Sequence, residues 1–335
     1  MKNIIDRFNI VGNVLSCEPY GFGHINSTYK VKTDDPHKYI LQKINSTIFS
    51  NIPALMSNIE AVTDHLKSKG FDSRHVLTIV RTLDDKAFLS HEDGTFWRMY
   101  EFVTDSICLN QSESPFDFYQ SAKGFGTFQN LLADFDANVL VETIPLFHHT
   151  PNRYKNLHEA IAKDSFDRLK NVKNEVAFAL EQEQYSGLMT DMLKNGELPL
   201  RVTHNDTKLN NVMLDAVSRE ALCVIDLDTV MPGLVANDFG DSIRFGATPA
   251  KEDEQDLSKV YLSLDLFDVY AKGFLETCGD NLTENEINTL PLGAKLMTLE
   301  CGVRFLTDYL NGDVYFRTTM THHNLYRART QFKLV

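Results

Sequence analysis

The sequence has few of the features that mark fibrous, secreted or disulfide-rich proteins. Its 335 residues include only 17 glycines, 10 prolines and 5 cysteines. So little glycine and proline excludes collagen-like and low-complexity chains. The cysteines are odd in number and form no Cys-x-x-Cys pair. They are therefore predicted to be small buried apolar residues in a reducing compartment, and neither disulfides nor structural zinc are expected.

Long hydrophobic runs and an excess of positive charge are also missing. No stretch approaches the roughly 18 consecutive apolar residues of a membrane span, and the N-terminal segment has no signal-peptide core. We therefore expect a cytoplasmic protein without a membrane partner. Lys and Arg number 33 against 46 Asp and Glu, a formal net charge of −13. Because no basic run could follow a phosphate backbone, nucleic acid is not expected as a partner.

The pattern of apolar residues changes about a third of the way along the chain. Short β-rich runs, interrupted by a single helical pattern over Pro53–Lys67, fill the first hundred residues. After the polar stretch 104–115, long amphipathic helical periodicity dominates. The sequence predicts an α+β fold of two lobes, with a small antiparallel sheet in residues 1–104 and a mostly helical lobe in residues 105–335.

The strongest chemical signal is the segment His-Asn-Asp-Thr-Lys-Leu-Asn-Asn at 204–211, which is followed by Ile-Asp-Leu-Asp at 225–228. Asp206 supplies a carboxylate that can accept a hydroxyl proton, and Lys208 supplies a cation. Asn211 and Asp226 supply the hard oxygen ligands that Mg²⁺ prefers. Phosphoryl transfer from a Mg-nucleotide needs this set of groups. The alternative is that these residues only satisfy turn backbone or are solvated at a strand end.

These two segments resemble the aminoglycoside phosphotransferase and choline kinase family, relatives of the protein kinases. The resemblance implies a bilobal protein-kinase-like fold that binds ATP and Mg²⁺. It implies that Asp206 is the catalytic base and contacts the acceptor, and that Lys208 is a second catalytic residue that stabilises the transferring group. It also implies that Asn211 and Asp226 are the Mg²⁺ ligands.

The N-terminal lobe offers weaker matches to the nucleotide site of this family. Gly21 and Gly23 lie between two strand runs, where a glycine-rich hairpin lets the backbone approach phosphates. Either Gln42 or Lys43 can face the cleft, because side chains alternate along a strand. The family pattern puts Gln42 at this position, which normally carries a lysine.

Two further nucleotide-binding positions follow from the same resemblance. Glu60 on the helix is the expected partner of Gln42, although either a cleft position or simple exposure fits its place at the rim of the apolar face. The hinge that presents backbone groups to adenine is expected at 100–103, with Glu101 and Val103 as the contacts.

Longer stretches, including Gly-His-Ile-Asn at 23–26, Gly-Val-Arg-Phe-Leu-Thr-Asp-Tyr at 302–309 and Gly-Asp-Val-Tyr-Phe at 312–316, resemble the N-acetylhexosamine 1-kinase branch of the family. That resemblance implies phosphorylation of the anomeric hydroxyl of N-acetylglucosamine or N-acetylgalactosamine by ATP. The expected substrate contacts are His24, Asn26, Asp206, Phe245, Arg304 and Tyr315.

Arg304 interrupts an apolar run, and a cation there needs a partner. Glu300 and Asp308, four residues away on either side, are the simple candidates. The alternative is that the guanidinium reaches into the acceptor pocket.

Other functions stay open at this point. The acceptor could be choline, homoserine, methylthioribose or another sugar, or the chain could be a kinase-fold binding protein without activity. The intact Asp206, Asn211 and Asp226 argue against the inactive reading. The preferred acetamido sugar and the oligomeric state do not follow from the sequence.

Overall fold

The computed structural model describes residues 1–21 and 25–335, and the first part of the chain forms an antiparallel sheet. Within the described residues the strands lie in the order β1-β2-β3-β6-β4, and β5 also pairs with β6. In chain order the elements are α1 (Lys2–Ile5), β1 (Val14–Pro19), β2 (Ser27–Thr33), β3 (Lys38–Ile44), α2 (Ile52–Ser68), β4 (Ile79–Val80), β5 (Leu89–Ser90) and β6 (Phe96–Glu101).

Helix α2 joins the sheet to the rest of the molecule. The side chain of Asn51 caps it by accepting a hydrogen bond from the Ala54 N–H (3.1 Å), and Pro53 lies in the first turn, where its missing N–H costs nothing. Its buried face includes Leu55, Ile59 and Val62 and packs in one core with side chains of the second half. Since burial of each such side chain stabilises by about 1.5–3 kcal/mol, this helix fixes the two halves against each other.

The second part of the chain is mostly helical. In chain order its elements are β7 (Ser106–Ile107), α3 (Pro115–Leu131), α4 (Thr150–Lys163), α5 (Lys173–Gln182), α6 (Leu188–Lys194), β8 (Arg201–Thr203), β9 (Val212–Asp215), β10 (Ala221–Val224), β11 (Met231–Gly233), α7 (Val235–Gly246), α8 (Leu264–Cys278), α9 (Glu284–Leu310) and α10 (His323–Leu334). Helix α3 packs on α8, and α7 packs on α9.

The α7–α9 contact depends on two glycines. A Cβ placed on Gly293 would lie 2.1 Å from the carbonyl oxygen of Ala236, and one placed on Gly240 would lie 2.3 Å from the carbonyl oxygen of Gly293. No side chain fits at either distance, so the two helix backbones approach each other directly. This close crossing sets the position of α7 beneath the loops that follow β8 and β10.

The chain leaves the sheet at Glu101, where β6 ends, and β7 already pairs with β9 of the second half. The hairpin of β9 and β10 and the pair of β8 and β11 then form a small platform. Among the described residues, no helix combines the length and the apolar character needed to span a bilayer.

Candidate functional site

The segment 204–211 connects β8 to β9, and a buried carboxylate of α7 holds its start. The two carboxylate oxygens of Asp238 accept hydrogen bonds from the backbone N–H groups of His204 (2.8 Å) and Asn205 (2.7 Å). Asn205 adopts a left-handed backbone conformation with a φ of 64°, which asparagine tolerates better than most residues. The course of the backbone is therefore fixed immediately before Asp206.

Asp206, Lys208 and Asn211 lie together in this segment. The ammonium of Lys208 is 2.7 Å from Oδ1 of Asp206, and the amide of Asn211 donates to Oδ2 (3.1 Å). Burial alone would raise the pKa of Asp206, but the charge and the hydrogen bond of Lys208 outweigh it and hold the pKa below its usual range. The carboxylate is therefore ionised at neutral pH and able to accept a proton.

His204 ties this segment to the second carboxylate motif. Its Nδ1 lies 3.3 Å from the Asp206 N–H and its Nε2 lies 2.8 Å from the carbonyl oxygen of Ile225. Since Nδ1 accepts from an N–H, the proton of the neutral ring is assigned to Nε2, which donates to Ile225. The rings of Phe125 and Phe128 meet the imidazole edge to face. We assign His204 a structural role that sets the spacing between Asp206 and Asp226.

Asp226 follows β10 and has a left-handed φ of 60°. The Ile225 N–H donates to the carbonyl oxygen of Asn211 (2.9 Å), which brings the two predicted metal ligands side by side. The side chain of Asp226 is exposed to solvent, although enough protein surrounds it for desolvation to act on the carboxylate. Burial, together with the neighbouring carboxylates Asp228 and Asp206, raises the pKa of Asp226 to about 7. A bound cation would relieve this accumulation of negative charge.

The donor set fits a magnesium ion that is shared with a nucleotide. The described residues contain no group of three or more His, Cys, Asp or Glu side chains that could hold a metal by themselves. Asn211 and Asp226 offer one amide oxygen and one carboxylate. Mg²⁺ in phosphoryl-transfer sites is commonly held by one or two carboxylates and completed by phosphate and water oxygens. Two protein ligands therefore match this ion better than a closed protein cage would.

The predicted glycine-rich hairpin is only partly described. Gly21 has a φ of +78° with open space around it, which suits a turn that a side chain would strain. Gly23 and His24 lie outside the described residues.

Gln42 and Glu60 do not form the predicted pair. Gln42 faces the cleft and Lys43 is exposed. The amide of Gln42 accepts from Nε of Arg98 (2.9 Å), its register partner on β6, and donates to the hydroxyl of Thr28 (3.1 Å). Glu60 instead lies 2.9 Å from the guanidinium of Arg81. The expected Gln42–Glu60 contact is wrong, because each side chain has a nearer cationic partner.

Asn26 reaches the cleft, but its amide is engaged by protein. Its Nδ2 donates to Oδ2 of Asp228 (2.6 Å), and its Oδ1 accepts from the Asn45 N–H (3.0 Å). Each polar end of the side chain keeps a second bonding position, and the substrate contact expected for Asn26 stays a prediction. Glu101 and Val103 lie where the chain leaves the sheet, and the Val103 N–H has no hydrogen-bond partner within the described ranges.

Neither simple partner predicted for Arg304 binds it. Glu300 accepts from His148 (3.0 Å) and the Thr150 hydroxyl (2.8 Å), whereas Asp308 accepts from three backbone N–H groups at 314–316. The guanidinium carbon of Arg304 lies instead 5.3–5.9 Å from three aromatic ring centroids, those of Phe147, Tyr315 and Phe316. Among the described residues it makes no hydrogen bond or ion pair. Its N–H groups are therefore available to a ligand.

The other two predicted aromatic contacts lie on different surfaces. Tyr315 is 63% exposed and lies beside Arg304. Phe245, near the end of α7, lines a cavity of about 400 Å³. Arg244 and Leu209, which belongs to the proposed catalytic segment 204–211, also line this cavity. The structure thus places Tyr315 with Arg304, and Phe245 in a cavity that reaches the catalytic segment.

Two buried groups near the site were missed by sequence reasoning. Asp238 anchors the catalytic segment, and His148 lies between the carbonyl oxygen of Asn205 (3.0 Å from Nε2) and Oε1 of Glu300 (3.0 Å from Nδ1). His148 has no sequence signal, because it lies in an irregular stretch and its partners are 57 and 152 residues away. The only hint of Asp238 is a charged residue within the buried face of a predictable helix.

Known phosphotransferases are similar to this chain in sequence pattern and in fold. Residues 16–270 match the model of the phosphotransferase enzyme family. The fold is similar to that of an aminoglycoside phosphotransferase from Alicyclobacillus acidocaldarius, with a TM-score of 0.66 at 13% sequence identity, over 98% of this chain and 90% of that one.

Two further solved structures share the fold at low identity. Ethanolamine kinase from Plasmodium vivax is similar with a TM-score of 0.60 at 16% identity, over 94% of this chain and 82% of that one. Amicoumacin kinase, solved in complex with AMP-PNP, Ca²⁺ and Ami, is similar with a TM-score of 0.61 at 13% identity, over 95% of this chain and 87% of that one. The predicted bilobal kinase-like α+β fold is confirmed.

Proposed function

Because the chain belongs to the phosphotransferase enzyme family, we propose that it transfers the γ-phosphoryl group of ATP to the anomeric hydroxyl of an N-acetylhexosamine, giving the sugar 1-phosphate and ADP. Asp206 and Lys208 are the proposed catalytic residues, and Asn211 and Asp226 the proposed Mg²⁺ ligands. Mg²⁺, when bound there, supplies charge neutralisation for the phosphate oxygens.

The ionised carboxylate of Asp206 supports the role of base. In the proposed step the sugar O1 attacks the γ-phosphorus, the bond to the ADP oxygen breaks, and the O1 proton passes to Asp206. A hemiacetal hydroxyl is more acidic than an ordinary alcohol, so a carboxylate with a low pKa can still serve. The ammonium of Lys208 lies 2.7 Å from Asp206. From this position it can stabilise the negative charge on the transferring phosphoryl group.

Two features of the first lobe support nucleotide binding in the cleft. The free Val103 N–H at the end of the sheet suits an acceptor nitrogen of adenine. The turn at Gly21, with its φ of +78°, begins the segment proposed to approach the phosphates. Glu101 contributes through its backbone in this proposal, and Gln42 acts through Arg98 rather than by direct contact.

The observation that carries the choice of acceptor is the unbonded guanidinium of Arg304 among aromatic rings. A donor there suits the carbonyl of an acetamido group or sugar hydroxyls, and exposed aromatic faces such as Tyr315 suit a pyranose ring. The cavity of about 400 Å³ beside Phe245 lies on a different surface from Arg304 and does not enter this choice. The features at Arg304 add to the sequence resemblance to the N-acetylhexosamine 1-kinases.

Amino alcohols such as choline are the main alternative acceptors. They would need an aromatic and acidic cage for their cation. Here the aromatic cluster already contains the Arg304 guanidinium, while Glu300 is occupied by His148 and Thr150. The Arg304 guanidinium would repel the cation of an amino alcohol in that cluster, which favours a neutral acceptor.

The experiment is an ADP-release assay over a panel of N-acetylglucosamine, N-acetylgalactosamine, glucose, galactose, ethanolamine, choline and homoserine. The acetamido sugars should give the highest kcat/KM, and the plain hexoses clearly lower values, since lost acetamido contacts leave pocket groups unpaired. The matched control is Asp206→Asn, which should remove the ADP signal for every acceptor. An amino alcohol or amino acid that exceeds both acetamido sugars would contradict the proposed acceptor and leave the kinase assignment intact.

A further inference from the structure

A buried cation, separate from the proposed base and metal ligands, lies between the two lobes. Arg98 on β6 is 1% exposed, and its Nη1 forms a short ion pair with Oδ1 of Asp228, which is itself 3% exposed. Its Nε donates to Gln42 (2.9 Å), so that two of its three nitrogens are fixed. Burial of a charge is costly unless the charge is paired with good geometry. Such a pair has a specific position, and removal of either partner leaves an uncompensated charge.

The second oxygen of Asp228 is also held by the first lobe. Asn26, at the start of β2, donates to Oδ2 (2.6 Å), and the backbone of Asn45 fixes the amide of Asn26 in turn. Both oxygens of this carboxylate therefore bind side chains that lie 130 and 202 residues away in sequence. We call Arg98, Asn26 and Asp228 the interlobe latch.

The turn that carries Asp228 also carries the proposed metal carboxylate. Asp226 immediately precedes the tight turn Leu227–Thr229. The next residue, Thr229, donates to the carbonyl oxygen of His204 (2.6 Å) and accepts at its own carbonyl from Asn205 (2.8 Å). The turn is thus bound to the first lobe through Asp228 and to the catalytic segment through Thr229. Asp226 and Asp228 are only two residues apart around one short turn. A movement of Asp228 therefore also displaces Asp226.

We propose that Arg98 is a positioning residue, which holds the metal-binding turn against the first lobe through Asp228, and that Asp228 serves this latch and is not a metal ligand. The inference rests on the proposed use of Mg²⁺ by Asp226. Its physical basis is that both Asp228 oxygens already have donors, whereas Asp226 has an excess of negative charge around it. The contact between the lobes and the placement of Asp226 then depend on the same short turn.

The test compares the double variant R98Q/D228N with the parent and with R201Q. The double variant replaces the ion pair by an amide pair, so no buried charge is left alone. Arg201 pairs with Glu286 (2.5 and 2.8 Å) inside the second lobe, and R201Q is the control for the loss of an ion pair away from Asp228. Conservative R98K, which keeps the charge but cannot bond Gln42 and Asp228 together, should fall between the parent and the double variant.

Two readouts separate the latch from a purely structural role. The first is the Mg²⁺ concentration for half-maximal binding of a fluorescent ATP analogue, which should rise about tenfold to a hundredfold in R98Q/D228N and stay unchanged in R201Q. The second is hydrogen exchange at 225–231 in the nucleotide-free protein, which should accelerate in R98Q/D228N and not in R201Q.

The outcomes distinguish the latch from the proposed function. Unchanged exchange at 225–231 together with an unchanged Mg²⁺ requirement would overturn the latch. If the parent binds no nucleotide, the proposed function fails, and the exchange measurement alone still decides the latch. If R98Q/D228N does not fold, R98K is compared with R201Q by the same two readouts, and parent-like values in R98K would overturn the proposal.

Discussion

The proposed phosphoryl-transfer side and the proposed acceptor side of the cleft differ in how their polar groups are bonded. Asp206 has two side-chain partners within the chain, and Asp238, which holds the loop, accepts from two backbone N–H groups. Arg304 on the acceptor side has no polar partner among the described residues and is surrounded by aromatic rings. Groups that position a reaction are rigid before substrate arrives, whereas groups that select a substrate keep their hydrogen-bonding capacity for it.

This difference predicts opposite responses to mutation on the two sides. Changes on the phosphoryl-transfer side should lower turnover or metal use for every acceptor. Changes on the acceptor side should alter KM for one class of acceptor and leave the stability of the free protein nearly constant.

The largest effect is expected for Asp226→Ala, which should abolish Mg²⁺-dependent turnover. A pH dependence follows for the parent. Because the pKa of Asp226 is raised from 3.8 to about 7 in the folded, metal-free chain, the native state binds more protons than the unfolded state between these values. The free energy of unfolding without metal should therefore fall as pH rises from about 4 to 7, and Asp226→Ala should flatten that fall.

Thermal unfolding at pH 6 and pH 8, with and without Mg²⁺, measures how stability depends on pH and on the metal. In the parent, Mg²⁺ with nucleotide should raise Tm more at pH 8, because protons compete with the metal at the lower pH. Glu159→Ala, which removes an exposed carboxylate on α4, is the control. Equal Tm gains at the two pH values would contradict the assignment of Asp226.

Asp206→Asn should lower kcat by about 10²-fold or more, since it keeps the shape of the side chain but cannot take the proton. Its amide nitrogen also cannot accept from one of the two donors, Lys208 and Asn211, that the carboxylate binds. Nucleotide affinity, measured by fluorescence titration, should stay within a few-fold of the parent. Turnover within a few-fold of the parent would show that another group is the base.

Arg304→Met should raise KM for the acceptor by about tenfold to a hundredfold, the equivalent of one charge-assisted hydrogen bond. Its Tm should stay close to that of the parent, because no hydrogen bond between described residues is lost. The control Arg201→Met removes the partner of buried Glu286 and should lower Tm without a change in KM. A large loss of Tm in Arg304→Met would assign this residue to the core.

The smallest effect is expected for His148→Gln. The imidazole lies between two acceptors, the Glu300 carboxylate and the Asn205 carbonyl, and glutamine can keep only part of this link to the catalytic segment. We expect a severalfold loss in kcat with an unchanged acceptor KM, measured by steady-state kinetics. The control His158→Gln disrupts an exposed His–Glu pair on the surface and should leave kcat unchanged. An equal loss of kcat in both variants would contradict a specific role for His148.

The sequence predicted local features well because they depend on neighbouring residues. Strands β2 and β3, helix α2 and the adjacency of Asp206 and Asn211 follow from alternation, helical spacing and a motif eight residues long. Within the apolar run 76–80 only Ile79–Val80 forms a strand, because the Val76 N–H donates to the carbonyl of Asp72 in a turn (3.0 Å). A turn of this kind competes with strand pairing and leaves no mark in an apolar pattern.

Long-range pairing of charges could not be predicted in the same way. Glu60 was expected to face Gln42 but binds Arg81, and the cation beside Gln42 comes from Arg98 on a strand 56 residues later. Arg304 had two acidic residues at helical spacing, yet both are bonded elsewhere. Spacing shows which partners a residue can reach, whereas the tertiary fold determines which partners are still free.

The most direct test of the central claim is the position of the phosphate in the product. N-Acetylglucosamine labelled with ¹³C at C1 is incubated with ATP and Mg²⁺, and the product is examined by ³¹P and ¹³C NMR together with a reducing-sugar assay. The account predicts a phosphorus coupled to the labelled carbon and complete loss of the reducing end, with no product from the 1-O-methyl glycoside. A phosphorylated product that keeps its reducing end, or phosphorylation of the methyl glycoside, would contradict it.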